Sequence, residues 1–152
     1  MDIGQYLSEH GVTLTRHEHR PAYTAQEVAA EEHISGNMLA KPVLVRADDH
    51  YALCVLPASC KLDMAKVAQA THADNVRLAD EGELAKVFPD VEVGAEPPFG
   101  GLYNIETMVD ERLSEQPEIA FQAGTHHSTI RMSWMDYASL VQPNTADLSV
   151  HL

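Results

Sequence analysis

Cysteine and long apolar runs are both scarce in this sequence. Cys54 and Cys60 are its two cysteines, too few for a disulfide framework and not spaced as a CxxC pair. No apolar run approaches the ~20 residues that are needed to span a bilayer. The first residues, MDIGQYLSEHG, have no basic region followed by an apolar core, unlike a signal peptide. We therefore expect a cytoplasmic protein with reduced thiols and no membrane association.

Positive charge is also scarce. Ten Lys and Arg residues stand against 23 Asp and Glu residues, a formal net charge of −13. Phosphate contacts come mainly from Lys and Arg, so this balance argues against DNA binding and predicts weak binding of free RNA. Residues 41–77 are the exception, with five bases against four acids. The charge pattern therefore permits one locally basic face.

Several common catalytic motifs are absent. The sequence contains no GxSxG nucleophile elbow, no P-loop, no GxGxxG and no HExxH. Nine histidines, among them His17 and His19, keep a metal site under consideration, but none shows zinc-ligand spacing. Cys54 lies within an apolar run, where a buried and inert thiol is expected. We accordingly predict neither a metal nor a cofactor.

The length and composition suit one globular domain. The chain has 152 residues, 45% of them hydrophobic, and no repeat, linker or low-complexity segment divides it. We interpret residues 1–152 as a single domain. Start and stop residues predict five short helices, located near residues 2–10, after Thr24, at 63–70, after Asp80 and at 134–142.

Strand patterns lie between these helices. The segment KPVLVRADDHYALCVLP predicts a hairpin that turns at Asp48-Asp49. Four further strands are predicted in NVRLA, IETMVD, EIAFQAG and STIRMS. Hairpins interspersed with single helices are typical of an α+β domain built on a largely antiparallel sheet.

Lys41 is the first candidate for chemistry. It immediately precedes Pro42 and the strand residues Val43, Leu44 and Val45. A lysine at a strand end is usually solvated. A cation held near a pocket could instead bind a phosphate or stabilise a developing oxyanion.

The segment VGAEPPFGGLYN is the second candidate. Gly94, Gly100 and Gly101 give backbone freedom at both ends of the loop, whereas Pro97 and Pro98 stiffen its middle. Such a loop can bring backbone N–H and C=O groups close to a small ligand. The alternative is an ordinary surface connection in which Phe99 fills the core.

The segment AGTHHSTI is the third candidate, and it presents Gly124, Thr125, His126 and His127 between two predicted strands. A plain hairpin turn with surface histidines is the simpler interpretation. The functional alternative is metal binding by the adjacent histidines.

Together these features resemble the YbaK/prolyl-tRNA-synthetase-associated domain family of aminoacyl-tRNA deacylases. The similarity covers nearly the whole chain, and its motifs occur in the family's order. They are the His19-x-x-x-Tyr23-Thr24-Ala25-x-Glu27 segment, Lys41 before VLV, YALCVLPA, Lys61-Leu62-Asp63, the Gly94–Pro98 loop with PFG, and the AGTH turn.

The resemblance implies an α+β fold with a curved, mostly antiparallel or mixed sheet, a barrel-like core and flanking helices. It implies hydrolysis in trans of the ester of a mischarged tRNA, with a small amino acid on tRNA(Pro) as the expected substrate. Lys41 and His126 are then the expected catalytic residues. The expected substrate-binding residues are Tyr23, Thr24, Gly94, Pro97, Pro98, Phe99, Gly100, Gly101, Gly124 and Thr125.

The same resemblance implies that the terminal ribose hydroxyl assists the attacking water, so that no protein base is needed. The expected partner is the aminoacyl-tRNA acceptor end, reached either through residues 41–77 or by delivery from a synthetase. Pro42 departs from relatives that carry asparagine after the lysine, which leaves the amino-acid specificity open. Two other hypotheses for the function remain. One is a small-molecule or protein-binding module without tRNA chemistry, and the other is a metal-dependent hydrolase that uses the histidines.

Overall fold

The computed structural model describes residues 1–152, which form five α-helices and ten strands. The helices are α1 (Ile3–Glu9), α2 (Ala25–Glu32), α3 (Met64–Thr71), α4 (Glu81–Val87) and α5 (Trp134–Val141). The strands are β1 (Leu14–Glu18), β2 (Ala40–Ala47), β3 (His50–Pro57), β4 (Cys60–Leu62), β5 (Val76–Leu78), β6 (Glu106–Asp110), β7 (Glu118–Gln122), β8 (Ser128–Ser133), β9 (Asn144–Ala146) and β10 (Ser149–His151). None of the helices has the length and apolar character that crossing a bilayer requires.

Each helix begins after a polar side chain that accepts a backbone N–H of the first turn. The capping residues are Asp2, Thr24, Asp63, Asp80 and Ser133. At α4 the pattern is a complete capping box, because the side chains of Asp80 and Glu83 each accept the other's backbone N–H. All five predicted helices are therefore confirmed, with the local hydrogen bonds that favoured them.

The strands form three separate sheets. A three-stranded antiparallel sheet has the order β1-β8-β7, and β10 pairs with β4. The five-stranded sheet has the order β5-β2-β3-β6-β9, in which β3-β6 and β6-β9 are parallel pairs. The predicted hairpin is confirmed, since Ala47 pairs with His50 across a two-residue turn. The α+β fold with a mixed, mostly antiparallel sheet is also confirmed, but the sheets do not close into a barrel.

The two larger sheets pack against each other around the main core. Leu53 and Val109 from the five-stranded sheet share this core with Phe121 and Ile130 from the three-stranded sheet, and all four are fully buried. A second cluster lies between the five-stranded sheet and α3, and includes the buried Val67. These packed faces bury the apolar side of each element and hold the sheets in fixed relative positions.

A third, smaller cluster connects α2 to both sheets. Val28 of α2 packs there with Leu39, Ala58 and Ala120, all of them buried. Leu39 forms a β-bridge with Ala120, which joins the start of β2 to β7. This connection brings the first residues of β2, the end of β7 and helix α2 to one place on the surface.

Candidate functional site

A small cavity of about 140 Å³ opens where α2, the start of β2 and the end of β7 meet. Pockets for drug-sized ligands are roughly 300–1,000 Å³, so this one suits a group of a few heavy atoms. Its lining residues are Tyr23, Ala25, Val28, Leu39, Ala40, Lys41, Pro42, Gly94 and Gln122. Tyr23, Lys41 and Gly94 were expected at the site from the sequence. They come from three separate segments, which the structure brings to one cavity.

Lys41 is the one charged residue among those that line this cavity. It is partly buried, and its Nζ donates a hydrogen bond of 3.1 Å to the carbonyl of Cys60. Burial lowers the pKa of the Lys41 ammonium, an effect that the nearby Cys60 thiol partly offsets. An ammonium has three donors, so the single protein partner leaves two for a ligand.

His126 stands behind Tyr23 at the rim. The two rings have centroids 4.8 Å apart, and Tyr23 is 67% exposed. The Nε2 atom of His126 lies 2.9 Å from the carbonyl oxygen of Val93, so Nε2 carries a hydrogen and donates it. Its Nδ1 atom is buried without a hydrogen-bond partner. In this arrangement His126 orients the loop and supports the tyrosine, and neither ring nitrogen faces solvent as a proton acceptor.

The loop wall of the cavity is held by its own backbone and by the 123–127 turn. Gly94 has φ +91°, a conformation that a side chain would strain, and its N–H donates to Glu96 Oε2 at 3.0 Å. The N–H of Gly124 donates to the carbonyl of Ala95 at 3.0 Å. The N–H of His126 donates to Glu92 Oε1 at 2.8 Å. The second and third candidate segments therefore face each other.

The other predicted loop residues do not line the cavity. Pro97, Pro98 and Gly100 are buried, and Phe99 packs between the rings of Phe121 and Tyr137 in the main core. The hydroxyl of Tyr137 donates to the Pro98 carbonyl at 2.6 Å. The alternative in which Phe99 fills the core is the one that the structure shows.

Four other expected substrate-binding residues also lie outside the cavity. Gly101 lines a different, apolar depression beside α5. Gly124 and Thr125 line a depression next to the N-terminal residues. The Thr24 hydroxyl accepts the N–H of Glu27 at 3.1 Å and so serves as the cap of α2.

The apolar lining was not anticipated from the sequence. Val28, Leu39 and Ala40 are ordinary core positions of a helix and a strand, and nothing in their local pattern distinguishes them from other core residues. Gln122 is the last residue of β7, and its Nε2 donates to the carbonyl of Ala22 at 3.1 Å. A polar residue at the end of a buried strand was the one available signal for it.

The remaining candidates for chemistry are accounted for by structural contacts. Cys54 is buried, and burial raises the pKa of its thiol to about 12, so it stays protonated as expected. His19 Nε2 lies 2.8 Å from the Thr129 hydroxyl, and His127 Nδ1 lies 3.0 Å from Glu18 Oε2. No three His, Cys, Asp or Glu side chains come close enough together to hold a metal ion.

The fold and this cavity define a small α+β domain with a site for a small group beside a lysine. The sequence profile of the aminoacyl-tRNA editing domain family matches residues 19–140. The chain therefore belongs to the aminoacyl-tRNA editing domain family, and the resemblance read from its motifs is confirmed. This membership supports an aminoacyl-tRNA deacylase role.

Relatives of known sequence include two bacterial proline–tRNA ligases. The ligase of Leuconostoc mesenteroides is 26% identical over 114 residues, and that of Leuconostoc citreum is 25% identical over 127 residues. These alignments cover 73% and 82% of the chain but only 19% and 22% of the ligases. The chain thus spans about a fifth of the relatives that it matches.

Solved structures show the same fold. A hypothetical protein superposes with a TM-score of 0.88 at 21% identity, covering 97% of this chain and 99% of its own. A proposed trans-editing enzyme for prolyl-tRNA synthetase superposes with a TM-score of 0.81 at 21% identity, covering 97% of this chain and 94% of its own. At this level of identity the likeness establishes the fold.

Proposed function

We propose that the protein hydrolyses the ester bond of a mischarged tRNA in trans, removing a small amino acid from tRNA(Pro). The observation that carries this proposal is the cavity of about 140 Å³ with Lys41 in its lining, in a chain of the editing family. An aminoacyl ester is already activated towards hydrolysis, so positioning and charge stabilisation can supply most of the catalysis.

The proposed roles follow from the contacts in the site. The aminoacyl group enters the cavity against Gly94, and the ammonium of Lys41 stabilises the negative charge near the ester. Water adds to the ester carbonyl, the bond to the ribose oxygen breaks, and that oxygen takes a proton. His126 is occupied by the Val93 carbonyl and holds the wall, so the proton transfers fall to water and the ribose hydroxyl.

One solved structure with the same fold is a proposed trans-editing enzyme for prolyl-tRNA synthetase, and this supports action on a tRNA that was charged elsewhere. The size of the cavity also favours small amino acids, although one methylene changes selection by only ~1–3 kcal/mol. A separate editing site is useful where a synthetase faces this limit. We place the activity in the cytoplasm, with a synthetase as the source of the charged tRNA.

The test is hydrolysis of tRNA(Pro) charged with Ala, Ser, Cys or Pro, at low salt. We expect the wild type to release one non-cognate amino acid rapidly and to spare the prolyl ester. Lys41→Ala should lower kcat/KM by about 10²–10³-fold, the loss typical of one oxyanion-stabilising donor. Lys86→Ala, which removes an exposed lysine on α4, is the charge-matched control and should behave as the wild type.

The opposite results are equally informative. Equal activity in Lys41→Ala and the wild type would remove Lys41 from the mechanism. No release from any of the esters would favour the binding-module reading of the same fold.

A further inference from the structure

Glu96 is a buried carboxylate for which the site as described has no use. It is 4% exposed, although glutamate is almost never buried unless it is paired. It takes part in none of the ion pairs of the protein. Its Oε2 atom accepts the N–H of Gly94, a cavity-lining residue, at 3.0 Å. The charge therefore lies directly behind the cavity wall.

This position has an energetic consequence. Burial raises the pKa of the Glu96 carboxyl, and backbone N–H groups together with His126 only partly offset that effect. In its ionised form Glu96 is thus incompletely compensated by the groups around it in the folded protein. A cation placed in the cavity against Gly94 would provide the missing opposite charge, at the close range over which such pairs act.

We propose that Glu96 selects esters with a free, protonated α-amino group, by providing the counter-charge for the substrate's ammonium through the Gly94 wall. This inference rests on the proposed deacylase function. The ammonium and Glu96 attract each other across the wall, while Lys41, with the same sign as the ammonium, disfavours its placement at the ester end. The two charges together orient the aminoacyl group. An ester whose amino group is acylated has no charge for Glu96 to recognise.

The test compares the alanyl, seryl and cysteinyl esters of tRNA(Pro) with their N-acetyl derivatives. Glu96→Gln keeps an oxygen acceptor for the Gly94 N–H and removes only the charge. Glu111→Gln, at an exposed position, is the control because it changes the net charge by the same amount. The wild type should prefer the free-amino ester, and Glu96→Gln should reduce that preference about tenfold, the scale of one contact to a charged group. Glu111→Gln should retain it.

Two results would overturn the inference while leaving the proposed function intact. One is an unchanged preference in Glu96→Gln. The other is an equal loss of activity on both kinds of ester, which would indicate a purely structural role for Glu96.

If the wild type cleaves none of the esters, the proposed function fails. The role of Glu96 in recognising an ammonium group is then tested by a binding measurement. Alaninamide and N-acetylalaninamide would be titrated while the amide signal of Gly94 is followed by NMR. A response to alaninamide alone, lost in Glu96→Gln, supports the charge recognition. Equal responses, or no response to either probe in the wild type, refute it.

Discussion

The two side chains that were expected to be catalytic, Lys41 and His126, each form a hydrogen bond with a main-chain carbonyl. Cys60 binds the ammonium of Lys41, and Val93 binds the imidazole of His126. Lys41 retains donors that a ligand can use, whereas His126 has one nitrogen occupied and the other buried. At the residue scale the proposed chemistry therefore relies on a positioned cation rather than on a protein base.

The two adjacent histidines should differ in their effect on activity. His126→Ala removes the bond to Val93 and the support behind Tyr23, so the cavity wall should shift. We expect a loss of kcat/KM of about 10- to 100-fold, as small misplacements can produce. His127→Ala removes exposed contacts with Glu18 and Thr125 and should have little effect. Equal losses in a side-by-side deacylation assay would contradict this role for His126.

Glu96 should also be visible in the pH dependence of stability. Its pKa is raised in the folded protein, so the folded state holds this proton more tightly than the unfolded chain. The associated stability is present at low pH and is lost as the pH rises through the folded pKa. Glu96→Gln should therefore gain stability relative to the wild type as the pH rises from acid to neutral. Urea unfolding of both proteins across this range measures the difference, and a constant difference would contradict it.

At the scale of elements, the loop from Gly94 to Gly101 has two halves with different tasks. Gly94 forms the cavity wall, whereas Pro98 and Phe99 anchor the loop in the core. The N–H of Gly100 donates to the Thr107 hydroxyl of β6 at 2.9 Å. The loop is thus positioned from behind by packing that the ligand never touches.

Two glycines in the anchoring half provide a matched pair of substitutions. A Cβ at Gly100 would lie 2.6 Å from Thr107 Oγ1 and 2.9 Å from the carbonyl oxygen of Ile105, so Gly100→Ala requires a backbone shift. We expect it to lower the free energy of unfolding by about 1–3 kcal/mol, as overpacking does. A Cβ at Gly101 meets no atom within 4 Å, so Gly101→Ala should be close to neutral. Urea denaturation of the two variants tests the contrast, and equal midpoints would refute it.

At the scale of the whole molecule, few positive charges are free to meet a tRNA. Six of the ten Lys and Arg side chains form ion pairs with carboxylates, namely Arg16, Arg20, Lys66, Arg77, Arg112 and Arg131. Of the others, Lys61 is exposed and directly follows Cys60, whose carbonyl binds Lys41. We therefore expect Lys61 to be the cation that meets a phosphate next to the ester.

Binding of the charged tRNA should be weak and only moderately salt-dependent. With one to a few phosphate contacts, log K should fall against log salt with a slope of about −1 to −3. Lys61→Gln should reduce the magnitude of this slope by about one, whereas Lys86→Gln on α4 should leave it unchanged. The KM for deacylation at several salt concentrations gives the slope. A steep slope in the wild type, or identical slopes in both variants, would contradict this picture.

Interactions between residues close in the chain made much of the fold predictable. Helix caps such as Asp80 act within one turn, and the hairpin at Asp48-Asp49 joins adjacent strands, so both are visible in the sequence. Strand β1 was not predicted, because four of its five residues are exposed and its pairing partner β8 lies more than 100 residues away. The parallel pairs β3-β6 and β6-β9 were not predicted either, because each joins strands that are far apart in the sequence.

The amino-acid sequence by itself determined the helices, the hairpin, the family and the segments that carry Tyr23, Lys41 and Gly94 of the cavity. The tertiary structure alone decided which side chains in those segments reach the cavity. Gly94 and Phe99 are five residues apart in one loop, yet one lines the cavity and the other fills the core. Glu96, between them, is buried without a counter-ion. These outcomes depend on packing against strands far along the chain, and local patterns carry no information about contacts of that kind.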